Sequence, residues 1–428
     1  LQYRPTIGIR GNDSDLLAGE DPVLSDADGN VMQNPLIAAA EEKDNKETRT
    51  LQANGGLTFK IIKGLTFRNN TGMRYQLYRR ELFYGDQSIM GRRSGIYGSI
   101  RNTETGSFQT SNVLTYDKRF QKKHKVVVQL GQEFVKRWTR VLESGVSGLP
   151  TDEFILGDMS LGTPSVASSD ENYDDNLLSF FARLNYDFTD KYLFSATFRA
   201  DGSSKFGKNN KWGYFPSVSA GWVISNENWM ESTKGWMDFL KIRASWGQNG
   251  NQSISNFQYV SSVAFDKYNV YNFGSTSLGT TDSKATGGYA KNLPNPDVSW
   301  ETSEQLNIGL DARFLNNRLG FAFDWYKKTT KDWLITAPIV ATAGTGAPVI
   351  NGGDVENKGF EIALNWNDNI GKDFRYGVNV NFSHNKNEVT RIANTEGIIH
   401  GSANVLSQGT NEMYRAQVGY PIGYFYGY

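Results

Sequence analysis

The sequence predicts an all-β protein, a transmembrane antiparallel up-and-down β-barrel with about fourteen visible strands, and three observations carry that prediction. First, the 428-residue chain alternates apolar and polar residues with period two through one segment after another. In 192–224, Tyr192, Phe194, Ala196 and Phe198 share one strand face, opposite Leu193, Ser195, Thr197 and Arg199. After a polar loop, Val218, Ala220, Trp222 and Ile224 oppose Ser217, Ser219 and Gly221. Second, 21 Tyr, 25 Phe, 10 Trp and 44 Gly suit strands with aromatic girdles better than helices. Third, the connections alternate short and long, as in outer-membrane barrels, whose periplasmic turns are short and whose extracellular loops are long.

In chain order, alternation predicts strands over 1–10, 51–62, 65–78, 107–117, 125–141, 175–188, 191–200, 213–224, 239–249, 301–314, 318–333, 356–366, 374–385 and 411–418. Compact connections fall at 62–64, 189–190 and 315–317, and long ones at 11–50, 79–106, 142–174, 250–300 and 335–355. The long ones are rich in Gly, Asn, Ser, Asp and Thr, as loops are. The connection 225–238 carries a helix signal, with Ser225 as N-cap and Glu227 in the first turn, and reads as a turn-side decoration.

The two strand faces then separate by chemistry. Expected lipid-facing sets include Leu240/Ile242/Ala244/Trp246, Leu306/Ile308/Leu310, Leu319/Phe321/Phe323/Trp325, Phe360/Ile362/Leu364/Trp366 and Val378/Val380/Phe382. The opposite faces carry Lys241/Arg243, Asn307/Asp311/Arg313, Asp324, Glu361/Asn365 and Arg375/Asn379/Asn381. A Lys or Arg facing lipid at the bilayer midplane costs roughly 2–4 kcal/mol, so the charged face lines a lumen or presses against a plug. Trp246, Trp333 and Trp366, near strand ends, are expected in an interfacial girdle.

Other function classes find little support. Lys plus Arg and Asp plus Glu both number 45, so no basic excess points to nucleic acid. No run of eighteen apolar residues offers a transmembrane helix. With no cysteine, disulfide frameworks, thiolate metal sites and cysteine nucleophiles are excluded. The opening LQYRPTIGIR has no signal-peptide pattern; it reads as a strand, which favours a fragment of a mature chain.

Catalytic and ligand motifs fail on context. Gly202–Asn209 nearly matches a phosphate-binding loop, but Asn209 replaces the metal-binding hydroxyl and 210–216 cannot open a helix. Asp26 and Asp28 have the acid spacing of a calcium loop, yet Asp28-Gly29 is the better hairpin turn. His124, His384 and His400 are scattered, without metal-ligand spacing or a serine partner. Asp152/Glu153 and Asp174/Asp175 are expected as solvated loop charge, and Tyr268, Tyr271 and Phe273 belong to an aromatic loop able to stack on sugars or grip peptide. No catalytic, cofactor or metal residue is assigned, the chain is not read as an enzyme, and substrate-binding positions are not readable from the sequence.

Several blocks resemble the SusC/RagA-type TonB-dependent transporters of Bacteroidetes-type bacteria. Arg199-Ala-Asp201-Gly202-Ser-Ser-Lys205-Phe206-Gly207, with Trp212, Phe215-Pro216-Ser217 and Gly221-Trp222, looks like that family's signature. Leu240-Lys-Ile-Arg243-Ala-Ser-Trp246-Gly247 with Gly250-Asn251-Gln252 is similar to its LK(L/I)RxS(Y/W)GxxGNQ strand. Asn295-Pro296, Trp300-Glu301-Thr302 and Asn307-Ile-Gly309-Leu-Asp311 resemble its NPxxxWE…NxGxD segment. Asp324-Trp-Tyr326-Lys327, Val355-Glu-Asn357-Lys358-Gly359-Phe-Glu361 and Gly419-Tyr-Pro421-Ile422-Gly423 resemble three further blocks. The resemblance covers 175–428, whereas 1–174 fits as generic strands and loops.

The resemblance implies active import of oligosaccharides or peptides across the outer membrane. It further implies an N-terminal plug, energy from TonB–ExbB–ExbD, a SusD-like lipoprotein lid, and room for a dimer of transporter–lid pairs. Residues 1–428 carry no plug or TonB-box pattern, the family pattern is expected to continue past Tyr428, and plugged transporters have about twenty-two strands. The expectation is therefore one partial barrel domain over 1–428, a central piece of a larger barrel. A passive porin-like channel and a non-transport structural or surface barrel are the alternatives.

Overall fold

Period-two alternation makes strands, and each tight hairpin closes where the backbone enters the left-handed region. Residues 39–428 are described by a computed structural model, apart from 87, 89–90, 92–94, 151–155, 273–283, 338–343, 404, 406–408 and 428. The strands are β1 (Glu42–Ile62), β2 (Leu65–Tyr84), β3 (Tyr97–Phe120), β4 (His124–Ser147), β5 (Thr163–Phe188), β6 (Tyr192–Ser203), β7 (Trp212–Val223) and β8 (Met237–Asn251). There follow β9 (Ser262–Asn272), β10 (Lys284–Asn292), β11 (Glu301–Phe314), β12 (Leu319–Thr336), β13 (Val349–Ile370) and β14 (Phe374–Ile392). Last come β15 (Ile398–His400), β16 (Tyr414–Gln417) and β17 (Tyr424–Phe425). Twelve of them form one sheet in the order β1-β2-β3-β4-β5-β6-β7-β8-β11-β12-β13-β14. This is the meander an up-and-down barrel wall requires, and β9–β10 and β15–β17 are small separate sheets.

The expected compact connections are the tight turns. Thr189 and Asp190 both have φ of 57°, and Leu315, Asn316 and Asn317 have φ of 58°, 57° and 60°. Asp and Asn tolerate that region through local side-chain hydrogen bonds. Asp187 Oδ1 accepts from the Asp190 N–H at 2.8 Å, which closes the first of these turns.

Chain contacts divide the protein into two compact units. One holds Thr71–Gln109, Val135–Asp174 and the chain before Thr71 up to Gly55; the other holds Gly56–Asn70, Thr110–Phe134 and Asp175–Tyr428. The first has a small core of Phe83, Val146 and Leu149. The second has two, Phe206/Phe215/Val298/Trp300 and Val355/Val389/Ile392/Ala416.

Within the second unit the register is continuous. Phe188, Tyr192, Trp222, Ile242, Leu310, Phe323, Ile362 and Phe382 pair strand to strand in one apolar row from β5 to β14. One residue along, Gly221, Arg243, Gly309, Asp324, Glu361 and Ser383 form the neighbouring row on the other face. Exposure is inverted relative to a water-soluble sheet. Phe194, Phe198, Ile308, Val380 and Phe382 are exposed, while Asp201 and Ser203 are buried. Water-soluble monomers rarely expose contiguous apolar surface beyond a few hundred Å², so this face belongs in hydrocarbon. Among the described residues, no helix is long and apolar enough to cross a membrane, which says nothing of strands.

Several expectations need correction. Strands overrun their apolar segments: β1 starts at Glu42, β3 at Tyr97, β5 at Thr163 and β13 at Val349, so parts of the expected long loops are polar strand. Backbone pairing carries the ladder onward where side chains no longer alternate. The 250–300 connection contains the β9–β10 hairpin. The expected strand 411–418 shortens to Tyr414–Gln417, and 1–10 lies outside the described residues. The helix at 225–238 is instead two 3-10 turns, Ile224–Asn226 and Asn228–Thr233, with Ser225 inside the first and no side-chain cap. Glu227, expected in a first helical turn, accepts from Lys191, Tyr192 and Trp222 at 2.9, 2.7 and 3.1 Å, tying the segment to β6 and β7.

Candidate functional site

The polar face of the sheet is the candidate site. Alternation puts Arg243 of β8 on that face beside β11, and β11 and the next strand, β12, both present acids there. Arg243 donates to both carboxylate oxygens of Asp324 at 2.7 Å, to Asp311 Oδ2 at 3.0 Å and to Asn307 Oδ1 at 3.3 Å. The two-pronged contact with Asp324 is the strong geometry for a guanidinium. Gly309, opposite Arg243 in the register, makes this possible: a Cβ there would lie 2.5 Å from the guanidinium carbon. One cation facing two anions leaves the cluster net negative; Arg243 and Asp311 each keep a third of their side-chain surface exposed and Asp324 about a fifth.

A second cluster repeats the theme. Arg199 of β6 bonds Glu133 of β4 and Asp201, both at 2.8 Å, and lies over the Phe181 ring at 5.8 Å. Along the same face, a cavity of about 540 Å³ is bordered by Asn185, Asp187, Ser195, Ser219, Lys241 and Arg243. Its donors and acceptors suit a hydrated polar solute or a protein segment. Among the described residues, no group of His, Cys, Asp or Glu could hold a metal.

At the ends of β8, β11 and β12 a different centre forms. Phe206 is fully buried, its ring 5.1 Å from that of Trp300, and Phe215 meets Trp300 edge-on at 5.5 Å. Trp300 Nε1 donates to the Lys211 carbonyl at 3.0 Å, and Lys205 Nζ to the Ile254 carbonyl at 2.9 Å. Glu301 accepts from Asn251 at 3.0 Å and from the Leu334 N–H at 3.1 Å. The Gly202–Asn209 loop therefore builds a core through Phe206, with Lys205 committed to a carbonyl.

The remaining sequence candidates are dispersed. His124 meets the Tyr186 hydroxyl at 2.8 Å, His384 packs 5.9 Å from the Phe360 ring, and His400 sits between Glu412 at 2.8 Å and Glu396 at 3.3 Å. Asp174 and Asp175 lie in β5, not in a loop, because that strand continues beyond its apolar part. Tyr268 and Tyr271 likewise belong to β9. Asp26, Asp28, Asp152, Glu153 and Phe273 lie outside the described residues. Of the tryptophans, Trp246 donates to Glu304 at 3.0 Å and Trp366 to the Tyr376 hydroxyl at 3.3 Å. Trp333, after a register shift between Thr330 and Trp333, packs on the Val355/Val389 core instead of standing as a free girdle ring.

Outside the strands' apolar span, three charges are tuned. The Lys191 ammonium, then Tyr192 and Trp222, hold the Glu227 carboxyl down to about 2. The Arg119 guanidinium lowers Asp190, and Glu412, then Glu396, raise His400.

The chain matches, over residues 3–423, the family described as TonB dependent receptor-like, beta-barrel. It belongs to that family. It is 30% identical over 402 residues to TonB-dependent receptor P3 of Formosa agariphila, covering 94% of this chain and 39% of the relative. It is 36% identical over 258 residues to TonB-dependent receptor SusC of Bacteroides thetaiotaomicron, covering 59% of this chain and 25% of SusC. Among solved structures, a chain of the RagAB peptide transporter superposes with a TM-score of 0.77 at 26% identity, covering 92% of this chain and 41% of that one. The chain thus spans about two fifths of the length of P3 and of the RagAB chain. The SusC/RagA likeness read from the sequence is borne out, the sheet is that of an outer-membrane barrel, and the relatives are receptors and transporters, not enzymes.

Family membership gives the two centres a meaning the sequence did not reveal. Arg243, Asn307/Gly309/Asp311 and Asp324 come from three separate motif blocks and meet in one ion cluster. Phe206, Phe215 and Trp300 come from two of the blocks and meet in one core, beside which Glu301 accepts from Asn251 and Leu334. The available signal was the recurrence of opposite charges on one face of neighbouring strands; register alone decides which of them meet.

Proposed function

We propose that this chain is the barrel-wall part of a longer TonB-dependent transporter that imports oligosaccharides or peptides across the outer membrane. In this reading a plug and further strands complete the barrel, TonB–ExbB–ExbD supplies energy, and a SusD-like lipoprotein captures substrate outside. The observation that carries it is the likeness to a chain of the RagAB peptide transporter over 92% of this chain, on a sheet whose polar face is laced with ion clusters. That face offers a solute hydrogen bonds at many points without a deep charged trap, which suits passage better than retention. The RagAB likeness makes oligopeptides the first probe, and oligosaccharides, the other class implied by the motif resemblance, are the second.

The test is uptake of labelled oligopeptides and oligosaccharides by cells carrying the full-length protein and its lid, with and without TonB. Accumulation lost without TonB is the expected result. Accumulation independent of TonB would replace active import by a passive channel, and no uptake of either class would leave a structural role.

A further inference from the structure

One cavity stands apart from the polar face. In the first unit, a groove of about 640 Å³ runs across β1–β4 and is lined by Arg49, Arg79 and Arg140, by Glu47 and Glu104, and by Leu77 and Leu142. Strand alternation fixes its face. Arg49 is two residues from Leu51 on β1; Leu77 and Arg79 follow Met73 and Tyr75 on β2; Glu104 precedes Gly106 and Phe108 on β3; Arg140 follows Trp138 on β4. Leu51 is 68% and Met73 46% exposed, so this is the apolar, lipid-side face. The Trp138 ring lies flat over Gly106, where any Cβ would collide with it. The groove thus begins about 7 Å beyond the last apolar residue of β1, where hydrocarbon gives way to headgroups. It lies toward the long connections 85–96 and 148–162, the outward side of such barrels.

We propose that this groove binds a phosphorylated sugar headgroup of an outer-leaflet glycolipid, with the acyl chains lying on the Leu51, Met73 and Phe108 surface. Guanidinium groups match phosphate oxygens in geometry as well as charge. Glu47 holds Arg49 at 2.7 Å and Glu81 holds Arg79 at 2.8 Å, which fixes two of the three cations along the surface. Arg140 has no ion pair among the described residues and is the open cation. Two of the three arginines are already paired, with Glu47 and Glu81, so Arg140 supplies the charge that an anion in the groove meets. The carboxylates accept hydrogen bonds from sugar hydroxyls, which a bare phosphate lacks, and Leu77 and Leu142 supply an apolar floor.

The test uses the full-length protein, purified in mild detergent and analysed by native mass spectrometry after incubation with a diphosphorylated glucosamine lipid. Wild type is expected to retain the lipid. Arg140→Gln should lower retention, and Arg49→Gln/Arg79→Gln/Arg140→Gln should lower it about tenfold, with Arg140→Lys intermediate. Heat-modifiable gel migration verifies folding, and if the triple variant fails to fold, Arg140→Gln beside Arg140→Lys reads the same contrast. Retention by Arg140→Gln equal to wild type overturns the site. Equal displacement by inorganic phosphate and by the lipid overturns the headgroup assignment, leaving a free-phosphate site. Transport is not read out, so this outcome is separable from that of the import assay.

Discussion

The Arg243 cluster and the Phe206/Trp300 core are both assembled from the family's motif blocks, yet they obey opposite physics. At Arg243 the partners are charged, a fifth to a third exposed and held by register on three adjacent strands. At Trp300 the partners are apolar, almost fully buried and gathered from loop ends as much as strands. The first is a cluster that water can still reach, where ion pairs are modest in energy but exact in position. The second is a small core like that of a soluble protein, where lost volume is expensive. A barrel wall has no filled centre of its own, so packing strength collects where strands run into loops.

That contrast can be broken deliberately. Trp300→Ala should have the largest effect, about 3–5 kcal/mol on the loop-end core, read as protease sensitivity of 204–212 and 252–300 while the barrel still migrates as folded. A uniform collapse of the whole sheet would mean that the two centres are one unit. Gly309→Ala should cost about 1–3 kcal/mol by displacing the guanidinium it faces, and Arg243→Ala should remove much of that penalty in the double variant. Strictly additive costs would sink the close-approach argument. Arg243→Gln and Asp324→Asn, combined in a double-mutant cycle, should show a coupling of about 0.5–1 kcal/mol after discounting for exposure, far below the Trp300 effect.

The smallest effects are in pH. Glu227 is held below its ordinary value, so its contribution is present above about 4.5 and is lost as pH falls toward about 2. Fluorescence of Trp222, whose indole donates to Glu227, should change across that window in wild type and stay flat in Glu227→Gln. His400 is raised by Glu412, then Glu396, against its partial burial, which lowers it; Arg415 lies 3.6 Å from Glu412 on the neighbouring strand. Its contribution is full below about 6.5 and is lost as pH rises through its folded value. Hydrogen exchange in 398–417 should therefore quicken on alkalinisation, and His400→Gln should abolish the dependence.

How much of this was legible depends on where period two persists. In β6, β7, β11 and β12 the apolar set is unbroken, and the expected strands fall within a few residues of those found. Glu42–Thr50 is polar on both faces, and in Thr163–Asp174 the few apolar residues, Val166, Ala167 and Tyr173, follow no two-residue period, so side chains give no signal and only the neighbouring backbone makes these segments strands. Ser225 shows the converse failure. It has the right residue type for a cap, but three donors on Glu227 anchor the segment differently. Trp333 had the position of a girdle residue until a left-handed residue, Asp332, and a register shift turned it inward.

By itself, the sequence determined the class of fold, the assignment of one face to lipid and the other to water, the tight turns and the family. These rest on local quantities: the two-residue period of a strand, the conformational tolerance of Asn, Asp and Gly, and motif spacing. Only the tertiary structure decided which charges pair, that Gly309 makes room for Arg243, that a near-phosphate loop is a buried core, and that three arginines from three strands converge beyond the apolar face. The reason is register. A slip of one residue between strands would leave every local pattern intact while exchanging every cross-strand partner, and no local quantity carries that information.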